Sequence, residues 1–168
     1  MLSSRKDFQD SPGFFNGTIA GVDKPTVFVA AALFFLNLFI KSFDVSSVSF
    51  DLDEAWHTFF SQKPISEVIR IASEDPNGPL YNLLAHFWIQ IFGISEFSSR
   101  YLSVLFSALT APLIYTFGKK YFNSVTGIFS SLLFSFSNIH FFYSHNARVY
   151  ALIGFLVILS FHLFMKTV

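Results

Sequence analysis

The chain has 168 residues, 52% of them hydrophobic and 13% charged, with a mean hydropathy of +0.52. Soluble domains carry about 25% charged residues, so these figures exclude an ordinary soluble globular protein. A net charge of +0 without a basic run excludes a nucleic-acid partner, and the absence of cysteine excludes disulfides and thiolate chemistry.

Residues 1–25 form a polar, loop-like segment with Pro12, Gly13, Gly17 and Gly21. It lacks the charged-then-apolar layout of a cleaved signal peptide. The first apolar run, 26–43, is long enough to span a bilayer and acts as an uncleaved anchor. Its only charge is Lys41, near one end, where a lysine can snorkel. An outer loop over 44–99 follows. From Asp44 to Asp75 it holds seven acids (Asp44, Asp51, Asp53, Glu54, Glu67, Glu74, Asp75) against Lys63 and Arg70. Within it, Pro79 to Phe92 is apolar but shorter than a span, with Asn82, His86 and Gln90 on one stripe and Tyr81 and Trp88 as interfacial anchors. That pattern predicts a helix lying in the membrane surface, with a short span as the alternative. Three further runs qualify as spans: 101–118 with a kink at Pro112, 124–143, and 149–165 with His162 inside. Gly127, Ser131 and Ser135 recur every four residues and predict close packing on a neighbouring helix. The fold class is therefore all-α and polytopic, with about four spans.

Loop charges orient the chain. With the N-terminus cytoplasmic, Arg5, Lys6, Lys24, Lys119, Lys120 and Lys166 lie inside, and Lys41, Lys63, Arg70, Arg100 and Arg148 outside. The Lys119–Lys120 pair in a tight loop is the strongest single indicator.

Several residues suit chemistry at the outer face. Asp51, Asp53 and Glu54 follow the first span, and Asp53 and His57 share a helix face at i and i+4. A carboxylate just above the bilayer suits a general base acting on an acceptor hydroxyl; on spacing alone, an acidic helix start favoured by the macrodipole is the stronger reading. Pro76, Gly78 and Pro79 force a turn that presents Asp75 and Asn77, or simply start a helix. Arg100 and Arg148, the latter followed by Val149 and Tyr150, suit bidentate binding of a lipid phosphate, or interfacial snorkelling. His86, His140 and His145 lack the i, i+4 spacing of a zinc helix, so no metal site is expected.

Taken in order, these motifs resemble a known family. Asp53-Glu54 follows the anchor helix. Asp75-Pro76-Asn77-Gly78-Pro79-Leu80-Tyr81-Asn82-Leu83-Leu84 comes next, then Phe97-Ser98-Ser99-Arg100-Tyr101-Leu102-Ser103 and Ala111-Pro112-Leu113-Ile114-Tyr115. A Tyr121-Phe122 loop and Ser144-His145-Asn146-Ala147-Arg148-Val149-Tyr150 close the series. From about Val27 onward this resembles the N-terminal part of the protein O-mannosyltransferase-like enzymes of the GT-C class (glycosyltransferase family 39-like), which include the lipid A aminoarabinose transferase. The resemblance implies a multi-pass enzyme of the plasma or inner membrane that moves a sugar from a polyprenyl- or dolichyl-phosphate donor to an acceptor on the outer side. It implies Asp53, with Glu54 beside it, as the catalytic acids. Arg100, Arg148, Asp75, His57 and Tyr150 become candidates for the donor phosphate or the active-site face, and surface-lying helices are implied in the first outer loop. No cofactor is implied, because the donor carries the activated bond; Asp51, Asp53 and Glu54 are hard oxygen ligands of the type a divalent ion takes. Gly78 stands where the family usually has a proline, and Val149-Tyr150 where some members have a second acid. Family chains are several times longer, so this one is expected to be an N-terminal portion. A different class, a non-catalytic remnant or helical membrane partner, treats the loop acids as solvated surface. A transporter fits less well, because His162 is the one ionisable residue expected inside the spans.

Overall fold

The computed structural model describes residues 18–19, 22–75 and 78–167. The expected cytoplasmic segment therefore lies mostly outside the described residues, as do Pro76 and Asn77. A two-residue antiparallel ladder, β1 (Thr18–Ile19) with β2 (Val22–Asp23), leads into α1 (Lys24–Ser42). Asp23 caps α1 by accepting from the Thr26 amide and hydroxyl, and Pro25 suits the first turn. Three short helices follow: α2 (Leu52–Ser61), α3 (Ile65–Glu74) and α4 (Pro79–Phe92). Then come α5 (Glu96–Tyr121), α6 (Ser124–Ser135), α7 (Asn138–Ser144) and α8 (Tyr150–Thr167). The long α5 is the axis, with α1, α6 and α8 packed around it.

Among the described residues, α1, α5 and α8 are long and apolar enough to cross a membrane. The expected span at 124–143 is not one straight helix: α6 and α7 meet at a bend of 60° and make a fourth crossing only if the bent pair is counted as one. The break falls at Phe136–Ser137, where Ser137 is extended and precedes the first turn of α7. Just before it, the Ser135 hydroxyl donates to the Ser131 carbonyl one turn back, a bond that loosens and bends helices. α5 also starts earlier than the apolar run predicted. Ser95 caps it by accepting from the Ser98 amide, so Arg100 lies within the helix, buried, rather than at a membrane-facing end.

On α4 the polar stripe is split: Asn82 and His86 turn into the protein, while Gln90 is exposed. Asn82 and His86 are buried against α2, with His86 Nδ1 donating to the Ser61 carbonyl at 2.9 Å, while Phe87 and Ile91 are exposed. Tyr81 is buried with its hydroxyl on Ser103, and Trp88 Nε1 donates to the Ser98 carbonyl. These two aromatics fix α4 to α5 instead of anchoring in an interface. Apolar side chains also point outward from α2 (Leu52, Trp56, Phe59) and α3 (Ile65, Ile69).

The small residues of α6 do pack as their spacing predicts. Ser131 donates to the Ala111 carbonyl at 2.9 Å, and Ser135 accepts from Asn37 of α1 at 2.7 Å. A Cβ on Gly127 would sit 2.5 Å from the Tyr115 carbonyl oxygen and 2.8 Å from the Lys119 amide nitrogen. Both are backbone atoms and cannot turn aside. Gly127→Val is therefore expected to push α6 off α5 and cost about 1–3 kcal/mol, read as a lower melting temperature of the detergent-solubilised protein. Gly154→Ala, which meets open space, is expected to leave it unchanged.

Two polar clasps hold the C-terminal half of α5 to its neighbours. Lys119 Nζ bonds both Asp23 carboxylate oxygens at 3.1 Å and the Thr26 hydroxyl, joining the start of α1 to the end of α5. The Thr26 hydroxyl bond, with Lys119 next, holds the Asp23 carboxyl below the usual range. Past Pro112, His162 Nε2 of α8 donates to the Leu113 carbonyl at 2.8 Å. Lys41 does not snorkel: it is fully buried, its ammonium 2.6 Å from Ser107 Oγ.

Candidate active site

The site is built from the start of α2. Asp51 and Glu54 form a capping box, in which the Asp51 carboxylate accepts from the Glu54 amide at 2.7 Å and Glu54 Oε2 from the Asp51 amide at 3.2 Å. The rest of Glu54 turns inward, 3% exposed, onto Arg100. Arg100 Nε donates to Oε1 at 2.9 Å and Nη2 to Oε2 at 2.6 Å, a two-point carboxylate grip. Its other donors go to the carbonyls of Val45, Val48 and Ser49. All five guanidinium N–H groups are thus accounted for within the protein. Glu54 Oε1 also accepts from the Ala147 amide at 2.8 Å. One buried carboxylate therefore fastens together the 45–51 loop, α5 and the 145–149 loop.

Asp53 points the other way. Its carboxylate is 60% exposed and accepts from Arg148 Nη1 at 2.7 Å. The Arg148 guanidinium also lies over the Tyr150 ring, 5.1 Å from its centroid. Arg148 Nε is buried with no hydrogen-bond partner. The backbone beneath is braced, because the Arg148 carbonyl accepts from Ser103 at 3.3 Å and Ser103 meets Tyr81 at 3.0 Å. Burial pushes the Tyr81 phenol above its ordinary range, so it remains a neutral hydroxyl at physiological pH.

A third group sits on the neighbouring turn. His57 Nδ1 lies 2.8 Å from Asn82 Oδ1 and 3.9 Å from Asp75, and Asn82 Nδ2 donates to Asp75 at 3.3 Å. The seven residues singled out in the sequence thus fall into three sets: Glu54 with Arg100, Asp53 with Arg148 and Tyr150, and His57 with Asp75. The first set is buried in a structural clasp. The second opens outward.

The acids do not suit a divalent ion. Asp51 is committed to the helix cap, Glu54 to Arg100 and Asp53 to Arg148. Among the described residues no three His, Asp or Glu side chains converge on one point. His145 and His140 serve the backbone and an aromatic neighbour instead: His145 Nε2 donates to the Lys41 carbonyl at 2.8 Å, and His140 packs on Phe134. Burial holds the His145 imidazole below its ordinary pKa, so the neutral form is favoured there.

Sequence reasoning missed Asn82 as the link between His57 and Asp75, the Tyr81–Ser103 brace, the Ala147 amide and the burial of Lys41. Two of these had a signal. Asn82 and His86 share one stripe of α4, and Asn37 and Lys41 lie at i and i+4 on α1, a polar face that an apolar span hides inside.

No curated protein and no solved structure matches the chain. The family model described as dolichyl-phosphate-mannose-protein mannosyltransferase matches residues 75–168. That segment carries Asp75, Arg100, Arg148 and Tyr150, while Asp53 and Glu54 precede it and are tied to it by their two arginine pairs. With more than half its length matched, the chain belongs to the dolichyl-phosphate-mannose-protein mannosyltransferase family.

Proposed function

We propose that the chain is the N-terminal portion of a GT-C-class membrane glycosyltransferase that moves a sugar from a polyprenyl- or dolichyl-phosphate donor to an acceptor hydroxyl. The carrying observation is the Asp53–Arg148 pair at 2.7 Å, exposed on the acid's side and braced on the arginine's. Asp53 takes the proton from the acceptor hydroxyl. The hydroxyl oxygen bonds to the anomeric carbon as the bond from that carbon to the phosphate oxygen breaks. The sugar inverts, and the lipid phosphate leaves with the bonding electron pair. Arg148 stands where it can meet the growing charge on that leaving group. Glu54 and Arg100 serve as positioning residues, because their bonding capacity is taken up in the clasp. His57, on the same face of α2 as Asp53, and its partners Asn82 of α4 and Asp75 after α3 orient the acceptor side.

In this reading α2, α3 and α4 rest their exposed apolar side chains in the lipid surface, on the outer side of the membrane with the N-terminus cytoplasmic. The Asp23–Lys119 end of the bundle then lies opposite the acidic site. The test is a transfer assay in nanodiscs with polyprenyl-phosphate hexoses as donors, read as release of the free polyprenyl phosphate. Release that needs an acceptor and is lost in Asp53→Asn supports the assignment. Release unaffected by that change sinks it.

A further inference from the structure

His145 is a half-buried histidine that the proposed chemistry does not use. It follows α7 directly and opens the short loop, 145–149, that carries Arg148 into α8. Its ring packs on Phe141 at 4.3 Å between centroids, and its Nε2 lies 2.8 Å from the carbonyl oxygen of Lys41, 104 positions earlier in the chain. A carbonyl oxygen only accepts, so Nε2 carries the proton. Lys41 stands in the last turn of α1, where helix geometry leaves carbonyls without intrahelical donors. His145 therefore supplies a donor that the end of α1 lacks, and α1 in turn holds the start of the loop.

The position of that loop decides where Arg148 points. The side chain is long, and its partner Asp53 is 60% exposed, so the ion pair between them is too weak to fix the guanidinium alone. The loop has three polar ties to the rest of the protein. Glu54 accepts from the Ala147 amide at 2.8 Å, but the same carboxylate also grips Arg100 and caps α2. Ser103 donates to the Arg148 carbonyl at 3.3 Å, longer than an ordinary hydroxyl bond. The His145 bond is short and joins this loop to α1 directly. Between His145 and Ala147, the Asn146 side-chain oxygen is buried with no hydrogen-bond partner among the described residues, so it adds no tie.

We infer that His145 is a positioning residue: by clamping the loop to the last turn of α1, it sets the Arg148 guanidinium against Asp53. The inference rests on the transfer reading for the step that Arg148 assists. The clamp itself stands on the geometry.

The test uses the protein in nanodiscs and two readouts. The first is labelling of arginine side chains by phenylglyoxal, followed peptide by peptide by mass spectrometry, with exposed Arg70 of α3 as internal reference. Arg148, its side chain 19% exposed, is expected to label more slowly than Arg70 in wild type. His145→Leu removes the donor and should raise Arg148 labelling several-fold relative to Arg70. His145→Gln puts an amide N–H near the former Nε2 and should restore the slow rate, whereas the shorter His145→Asn should not. The second readout is transfer. His145→Leu should lower kcat by up to about 100-fold, the cost of an ångström of misplacement, with the donor KM little changed, because Arg148 meets charge that grows only in the transition state. His145→Gln should recover most of that loss. Wild-type labelling of Arg148 in His145→Leu and His145→Asn, or no recovery in His145→Gln, overturns the clamp. Faster labelling with an unchanged kcat overturns the positioning role. If His145→Leu fails to fold, the comparison of His145→Asn with His145→Gln decides in the same way. If wild type turns over no polyprenyl-phosphate hexose, the transfer reading fails, and the labelling still judges the clamp.

Discussion

Asp53→Asn is expected to lower the transfer rate by about 10²–10⁴-fold, the usual contribution of a positioned general base, while the melting temperature stays within a degree or two. The two readouts separate because of where the side chain lies. It is 60% exposed and its single ion pair is at the rim, so losing the pair costs at most about 1 kcal/mol. Asparagine keeps the size and a hydrogen-bonding oxygen for Arg148, but it cannot take a proton at neutral pH. The neighbouring Asp51 gives the contrast. Its carboxylate caps α2, so Asp51→Ala is expected to cost about 0.5–2 kcal/mol of stability and to reduce transfer only as far as α2 frays. Should Asp51→Ala abolish transfer at an unchanged melting temperature while Asp53→Asn does not, the assignment of the base passes from Asp53 to Asp51.

Sequence alone made the helical character and the runs of α1, α5 and α8 legible, because span length and apolarity are local properties. It did not reveal which way a polar residue faces. A polar stripe on an apolar helix reads as the wet side when water surrounds the protein. In a lipid-facing bundle the same stripe turns inward, because buried polar groups find partners there and apolar groups meet lipid. Asn82, His86, Asn37 and Lys41 all follow that inversion. The kink in the third apolar run was illegible for another reason. Serines at 131, 135 and 137 lower helix continuity only when their hydroxyls return to the backbone, as Ser135 does. Adjacent acids posed the hardest problem. Asp53 and Glu54 differ by one position, about 100° around a helix, and that rotation sends one out to Arg148 and the other in to Arg100. Nothing in composition or spacing separates them before the long-range partners are known.

That division sets up the second large effect. Glu54→Gln is expected to destabilise the protein by about 3–5 kcal/mol, the cost of leaving a buried charge without its partner. The amide preserves the shape and can still accept from Ala147 or from Arg100, but it removes the charge that balances a guanidinium buried to 5% exposure. Arg100→Lys should cost a comparable amount, since one ammonium cannot reach Glu54 and the carbonyls of Val45, Val48 and Ser49 together. Removing both charges, as Glu54→Leu with Arg100→Met, is expected to recover only part of the loss. Apolar replacement often rescues a buried pair, but here it would orphan three backbone carbonyls and the Ala147 amide. The measurement is thermal unfolding of the solubilised variants, with protease cleavage within 44–52 as a local readout. A Glu54→Gln protein that melts with wild type and resists cleavage would show that the clasp holds nothing. The expected result is that Glu54→Gln loses stability and transfer together, whereas Asp53→Asn loses transfer alone. That pairing separates the residue that holds the α2 turn from the one that acts beyond it.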